Sequence, residues 1–218
     1  MGNTSTAFID FDGTLCDTET DIRLAWKATL ADMGLPTDRF DAVFKTGPMI
    51  DDVVRALYPD RATPEFIDRI RGEFGRHYDA SGFPNSRPYP GVVPWLERLA
   101  SAGRDAVIVT NKRLVATELF MDVLGWRKLV SAVYAADMFP GRRLAKADLL
   151  ARALAGEGAD PARSAMVGDT KGDVDAGKAN GLFTVGVLWG YGSREELAGA
   201  DLLVSHPDEI VGLPGEAK

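Results

Sequence analysis

Two aspartates separated by a single residue, Asp10 and Asp12, directly follow the apolar run Ala7–Ile9 and precede Gly13. In open α/β sheets, ligand sites lie beyond the carboxyl ends of the strands, where both of these carboxylates would stand. In extended geometry, two acids at this spacing can direct separate groups at one substrate. An ordinary strand followed by an Asp-Gly turn would contain the same residues. The pair is therefore a candidate functional site, and its support depends on which other residues the fold brings beside it.

A second acidic pair, Asp169 and Asp173, follows the apolar run Ala165–Val167. The two aspartates are four residues apart, so they share one face if the turn winds into a helix. Mg²⁺ prefers a few carboxylates together with waters and phosphate oxygens. Asp10 and Asp169 as ligands, with Asp173 close by, would meet that preference and predict a magnesium site. The alternative is an acidic helix N-terminus that the helix macrodipole favours.

Groups suited to binding phosphate follow two further elements. Thr110 and Asn111 stand just beyond the apolar run Ala106–Val109, where the Thr110 hydroxyl and the adjoining backbone N–H groups suit a phosphate oxygen. Lys146 opens a segment with helical spacing and would balance the charge on transferring oxygens. Taken singly, each motif has a simpler explanation: Thr110 and Asn111 could cap the following helix, and Lys146 could be a solvated side chain. Lys146 gains interest from its position along the chain, between this motif and the second acidic pair.

Short apolar runs rich in β-forming residues recur and alternate with segments of helical spacing. This alternation predicts an α/β fold with a doubly wound, Rossmann-like parallel sheet covered on both faces. One helix is expected to place Val115, Leu119 and Val123 together on its apolar face, and the pair Ser193 and Glu196 predicts a capping box that opens a short helix. The predicted strands are Ala7–Ile9, Ala106–Val109, Val130–Tyr134, Ala165–Val167, Phe183–Leu188 and Leu202–Val204.

A long segment without a convincing strand interrupts the alternation after the first run. Ile22 and Trp26 fall on one helical face, and Thr63-Pro64 combines a cap with proline at the first helical position. Such an insert after the first strand predicts a helical cap domain. The predicted domains are residues 1–16 with 85–218 as the α/β core and residues 17–84 as the cap.

The composition limits the classes of function. A formal charge of −7 and a pI near 4.9 argue against a nucleic-acid or membrane-surface partner. Cys16 is the single cysteine, so no internal disulfide can form, and a reducing cytoplasm is the expected location. No apolar stretch approaches the ~20 residues of a membrane helix, and residues 1–6 do not resemble a secretory signal. A monomer and a homodimer both remain open.

The four motifs, in this order, resemble the haloacid dehalogenase-like hydrolase superfamily, and within it the phosphoglycolate phosphatase group. The resemblance covers nearly the whole chain, including the position of the insert. It implies a doubly wound core with a helical cap over the site, and Mg²⁺-dependent hydrolysis of a small phosphorylated metabolite such as phosphoglycolate. The similar runs are Asp12-Gly-Thr-Leu15, Tyr89-Pro-Gly91, Thr110-Asn-Lys112 and Gly190-Tyr-Gly192 before Glu195-Glu-Leu197.

The resemblance also implies a role for each motif residue. Asp10 would be the nucleophile that forms an aspartyl phosphate, and Asp12 would be the acid/base. Asp12 would also meet the metal, through its backbone carbonyl. Thr110 and Lys146 would bind the phosphate, and Asp169 would bind the metal. The intact acid pair counts against dehalogenation.

Other functions on the same core remain open at this point. They are a phosphomutase, a nucleotidase, a phosphonate hydrolase and, from a different class, a catalytically silent sensor of a phosphorylated ligand. A mutase must hold a second phosphate, yet residues 46–54 contain no basic residue. Lys27 and Lys45 leave an imine-forming phosphonate hydrolase open. Thr46 and Gly47 are the predicted specificity loop of the cap, although a simple turn between helices would also explain them.

Overall fold

A computed structural model describes residues 5–139 and 143–215 of the chain. The chain forms two compact units, one containing the residues up to Asp17 together with those from Pro88 onward, and one containing Thr18–Arg87. Two short strands, β2 (Cys16–Asp17) and β3 (Arg87–Pro88), lie where the chain passes between the units. The prediction placed these crossings at residues 16/17 and 84/85. In the described part of the chain, no helix is both long and apolar enough to cross a membrane.

A six-stranded sheet forms the centre of the first unit, in the order β5-β4-β1-β6-β7-β8. Every neighbouring pair is parallel, and the order reverses direction on either side of β1, as in a doubly wound sheet. The predicted fold class is therefore confirmed. The strands are β1 (Thr6–Ile9), β4 (Asp105–Thr110), β5 (Ala132–Ala135), β6 (Ala165–Gly168), β7 (Phe183–Val187) and β8 (Leu202–Val204).

Burial along β1 shows why these runs are continuously apolar. Successive side chains of a strand point to opposite faces of the sheet, yet all four residues of β1 are fully buried. Both faces of the central strand must therefore be covered. On one side Phe8, Val107 and Met166 pack with Leu149 and Leu150 in one core cluster. The helices of this unit are α5 (Val92–Ser101), α6 (Leu114–Val123), α7 (Lys146–Glu157) and α8 (Lys171–Ala179), and its 3-10 helices are Trp126–Lys128, Pro161–Arg163 and Pro207–Glu209.

Two helical predictions for this unit need correction. α6 exists, but Val115 and Val123 are 54% and 61% exposed, and the buried side includes Phe120 instead. Apolar residues lie all round α6, so periodicity alone could not choose the face that meets the sheet. Ser193 and Glu196 do exchange the two bonds of a capping box, but the residues that follow form turns and not a helix.

The second unit is helical. Its core is aromatic: Trp26 packs against Phe40, Phe44 and Phe74 with ring centroids 5.2–6.4 Å apart. Thr63 caps α4 as predicted, its hydroxyl accepting from the Phe66 N–H at 3.2 Å. The helices are α1 (Glu19–Asp32), α2 (Phe40–Val43), α3 (Ile50–Leu57) and α4 (Pro64–Asp79), with a 3-10 helix at Pro59–Arg61.

Candidate active site

Three strand ends bring the sequence motifs to one edge of the sheet. Ile9 lies opposite Ile108 of β4 on one side and opposite Val167 of β6 on the other. Asp10 is the next residue after β1, so Thr110 at the end of β4 and Asp169 just beyond β6 stand on either side of it. Parallel strands end at the same edge, which is where a doubly wound sheet holds its ligands.

Lys146 links the first acidic motif to the second. Its ammonium group lies 2.7 Å from Oδ2 of Asp10 and also contacts Oδ1 of Asp173. Asp10 is 5% exposed and Lys146 9% exposed, so the ion pairs are shielded from water and weakly screened. The other oxygen of Asp10 accepts from the Phe11 backbone N–H at 2.7 Å. The carboxylate of Asp10 is thus held by two donors.

Asp169 is held by residues from two other segments. Its Oδ1 accepts from the Thr14 hydroxyl at 2.9 Å, and its Oδ2 accepts from the Tyr191 backbone N–H at 2.8 Å. The loop after β7 comes this close because it has glycines there: a Cβ on Gly190 would lie 2.3 Å from Cβ of Asp169. Gly13 is similar, since a Cβ there would lie 2.2 Å from Oδ2 of Asp169. Asp169 is therefore enclosed on two sides by backbone.

Burial dominates the electrostatics of this cluster. It raises the pKa of Asp10 to about 6, although the Lys146 ammonium opposes the rise. Burial likewise raises the pKa of Asp169 to about 7, and the charges of Asp173 and Asp10 add to the effect. For Lys146, burial lowers the pKa but the two neighbouring carboxylates outweigh it, so the pKa is raised. Lys146 alone does not offset the cost of burying the carboxylates around it.

The same three carboxyl groups suit a divalent cation. Asp10, Asp169 and Asp173 each offer an oxygen, and these oxygens lie within 4.8 Å of one another. Hard carboxylate oxygens are the donors that Mg²⁺ takes, and a cation would add positive charge beside three buried carboxyl groups, of which Lys146 contacts two. Asp173 is further oriented by Thr170, whose N–H and hydroxyl both donate to its Oδ2. The donor set therefore fits the predicted magnesium ion.

The predicted acid/base and phosphate residues lie beside this cluster. The Asp12 carboxylate is not one of the three grouped oxygens; its Oδ1 lies 2.8 Å from the ammonium of Lys112. Thr110 is 1% exposed, and its hydroxyl accepts from the Lys112 N–H at 3.2 Å. Asn111 is half-buried next to it. The phosphate-binding roles of Thr110, Asn111 and Lys146 stay predictions, as does the metal contact of Asp12.

The predicted specificity residues belong to the second unit. Thr46 and Gly47 lie in the loop between α2 and α3, and Gly47 has a φ of 110°, a backbone conformation that favours glycine. This unit also contains a second group of possible ligands, Asp32, Glu73 and His77. Arg76 donates to both of those carboxylates, so a guanidinium group already neutralises part of their charge.

Several residues of the site escaped the sequence reasoning. Thr14 and the Tyr191 N–H hold Asp169, and Lys112 holds Asp12, but none of these side-chain or backbone roles was predicted. Gly190 and Gly192, separated by one residue after the predicted strand Phe183–Leu188, were the available signal, because glycine permits a close approach of backbone. A Cβ on Gly192 would lie 1.9 Å from the backbone oxygen of Asp169.

Known proteins resemble this chain along nearly its whole length. A family model described as haloacid dehalogenase-like hydrolase matches residues 8–187. A phosphoglycolate phosphatase of Aquifex aeolicus is 31% identical over 94% of this chain and 93% of its own length. An N-acetylmuramic acid 6-phosphate phosphatase of Pseudomonas aeruginosa is 31% identical over 93% of this chain and 91% of its own. A solved structure described as a predicted phosphatase from Clostridium acetobutylicum has a TM-score of 0.85 at 24% identity, covering 96% of this chain and 97% of that one; at this identity it bears on the fold alone.

Proposed function

This chain belongs to the haloacid dehalogenase-like hydrolase family and is a phosphatase, and from this premise we propose that it hydrolyses a small phosphomonoester through an aspartyl phosphate on Asp10, with Mg²⁺ as its cofactor. The family resemblance and the enzyme class inferred from the sequence are both confirmed. The intermediate, the metal and the residue roles are the substance of the proposal.

One observation carries the proposal: the Asp10 carboxylate lies in a buried cluster with Lys146, Asp169 and Asp173 at the carboxyl edge of the sheet. A carboxylate held beside a cation and further carboxylates is the arrangement that phosphoryl transfer needs, because positioning and charge neutralisation supply most of the catalysis. A structural ion pair would not need a third and a fourth charged group at the same point. Each of these four side chains is at least nine-tenths buried.

The residues of the chain then divide the reaction between them. An oxygen of Asp10 attacks phosphorus and the ester P–O bond breaks, while Asp12 gives its proton to the departing alkoxide. Water next attacks the aspartyl phosphate and passes a proton to Asp12, and the bond between phosphorus and Asp10 breaks to release phosphate. Lys146, Thr110 and Asn111 bind the phosphoryl oxygens. Asp10, Asp169 and the Asp12 backbone carbonyl, with Asp173 close by, would hold Mg²⁺, which would stabilise the charge on the transferring group as a Lewis acid.

The proposed substrate is a small phosphorylated metabolite, with phosphoglycolate favoured because four of the similar relatives, 31–32% identical to this chain, are phosphoglycolate phosphatases. The similarity to an enzyme named for N-acetylmuramic acid 6-phosphate is almost as high, so the core motifs alone do not choose between sugars and small acids. We assign that choice to the helical unit, Thr18–Arg87, acting as a cap, with Thr46 and Gly47 as specificity residues. The lone, buried Cys16 suits a cytoplasmic enzyme.

The experiment is phosphate release from phosphoglycolate and from p-nitrophenyl phosphate by the wild-type protein and by Asp10→Asn. We expect activity with Mg²⁺, loss of activity after EDTA treatment, and recovery when Mg²⁺ is returned. Asp10→Asn should lose activity by about a thousand-fold or more, because a neutral amide cannot act as the nucleophile.

Asp175→Asn is the matched control, since Asp175 is an exposed aspartate whose charge is paired with Lys171. It should retain wild-type activity. Folding of both variants is checked by circular dichroism and thermal unfolding. A folded Asp10→Asn protein that keeps most of its activity would contradict the proposal, and so would a wild-type protein indifferent to EDTA.

A further inference from the structure

Lys112 forms a buried ion pair with Asp12, the acid/base of the proposed function. Its ammonium nitrogen lies 2.8 Å from Oδ1 of Asp12, and the two side chains are only 3% and 13% exposed. Resting on that proposed function, we infer that Lys112 is a positioning residue: by donating to Oδ1 of Asp12 it leaves Oδ2 to carry the proton in the acid form, and it directs that oxygen at the leaving group.

Stability is a poor explanation for this lysine. Removing an ammonium group from water costs several kcal/mol, and a buried ion pair often contributes no more than an apolar pair of the same size. An apolar pair in place of both Asp12 and Lys112 would fill the same space without that cost. What the ion pair adds is geometry, because anchoring Oδ1 restrains rotation of the carboxyl group and gives Oδ2 a fixed direction.

The surroundings of the Lys112 ammonium hold it in place. It lies 4.8 Å from the ring centroid of Phe120 and 5.5 Å from that of Phe11, within the range of cation–π attraction. The two rings pack against each other with centroids 5.0 Å apart and are almost completely buried. A charge packed against two buried rings and a carboxylate has little space to move, so it can serve as a fixed anchor.

The backbone of Lys112 ties the same anchor to the proposed phosphate site. Its N–H donates to the Thr110 hydroxyl oxygen at 3.2 Å. One residue therefore connects the group that binds phosphate to the group that transfers the proton. The distance between these two functions is then set by local chain geometry at the end of β4.

The two buried lysines have different partners. Lys146 contacts Asp10 and Asp173, whereas Lys112 contacts Asp12. Loss of Lys146 should therefore impair every substrate, because it acts on the nucleophile and the phosphate. Loss of Lys112 should impair those substrates whose leaving group needs a proton. This difference separates a positioning role from a general structural one.

The test compares two phosphate esters in Lys112→Met: glycerol phosphate, whose alkoxide leaving group needs a proton, and dinitrophenyl phosphate, whose phenolate does not. The quantity is kcat/KM, which covers steps up to departure of the leaving group and excludes the later hydrolysis of the aspartyl phosphate. We expect about a 100-fold loss with glycerol phosphate, the size of a general-acid contribution, and less than about a 5-fold loss with dinitrophenyl phosphate. Lys128→Met, at an exposed lysine, is the control and should change neither value.

Two further variants make the result decisive. In an Asp12→Asn background, adding Lys112→Met should lower kcat/KM for glycerol phosphate by less than about 3-fold, because residues that act as a unit are not additive. Lys112→Arg keeps a cation but changes its shape and reach, so it should show a partial loss confined to glycerol phosphate. If Lys112→Met does not fold, the selectivity of Lys112→Arg decides the question.

Equal losses on both esters, or no loss on either, would overturn the inference. That outcome is distinguishable from failure of the proposed function, which would appear as a wild-type protein inactive on both esters or as an active Asp10→Asn protein. With an active wild type and an inactive Asp10→Asn, equal losses in Lys112→Met would refute the role of Lys112 alone.

Discussion

A methyl group placed on Gly190 should disturb the proposed metal site from outside the motifs that form it. A Cβ there would lie 2.3 Å from Cβ of Asp169 and 2.3 Å from the backbone oxygen of Gly13, whereas real Cβ atoms essentially never come within 3.0 Å of another heavy atom. Gly190 is not among the glycines with positive φ, so alanine is acceptable to the backbone itself. Space alone decides the effect.

The size of the effect follows from the overlap. Increasing the distance between the added Cβ and Cβ of Asp169 from 2.3 to 3.0 Å needs a shift of about 0.7 Å. Asp169 cannot move easily, because it is fully buried and hydrogen-bonded to Thr14 and Tyr191. Overpacking of this kind costs about 1–3 kcal/mol, which corresponds to a fall in Tm of roughly 2–12 °C for a chain of this length. A displacement approaching 1 Å at a reacting centre can cost about 100-fold in rate.

The assay is hydrolysis of p-nitrophenyl phosphate over a Mg²⁺ titration, with Tm measured on the same samples. We expect Gly190→Ala to lose about 100-fold in kcat/KM and to need more Mg²⁺ for half-maximal activity. Gly199→Ala is the matched control from the same loop, because its Cβ would meet Val174 at an ordinary 3.7 Å. Gly190→Ala protein with more than half of the wild-type activity and an unchanged Mg²⁺ requirement would refute the reasoning.

Two predictions concern stability. Asp21 is 3% exposed and accepts hydrogen bonds from the backbone N–H and side-chain groups of Asn85 and Ser86. Asp21→Ala should therefore lower the free energy of unfolding by about 3 kcal/mol. A loss below about 1 kcal/mol in urea denaturation would contradict this prediction. Thr184 donates twice to Asp201 and lowers its pKa, so this carboxylate stabilises the fold above pH 3.8 and loses that contribution as pH falls through its folded pKa. Asp201→Asn should therefore cost under about 1 kcal/mol at pH 7 and progressively less as the pH falls below 3.8, and a cost that does not change with pH in acid would argue against it.

Local patterns predicted the sheet well because each strand carries its own signal. Five of the six apolar runs coincide with strands to within about a residue at their ends, and the run at Val130–Tyr134 shifts to Ala132–Ala135. Strands buried on both faces must be apolar throughout, so they are visible without knowledge of their neighbours. Two predictions were wrong, the buried face of α6 and a helix after Ser193. Both features depend on what packs against the segment, which its own residues do not show.

The order of motifs allowed the grouping of Asp10, Asp169 and Asp173 to be expected, since parallel strands end at a common edge. It did not reveal the partners of these acids. Lys146 could have been a solvated lysine, and only its contacts with Asp10 and Asp173 distinguish it from one. The sequence holds no periodic signal for a contact between residues more than a hundred positions apart.

By itself, the sequence determined the type of sheet, the helical segment after the first strand and the residues that we propose for phosphoryl chemistry, because strand burial, helix caps and acid spacing each depend on a few neighbouring residues. Tertiary structure decided which charged groups pair, Lys146 with Asp10 and Lys112 with Asp12. It also decided that the glycine-rich loop at 190–192 packs against Asp169. Such pairings depend on distances across the sheet edge, which form only when the strands are in register.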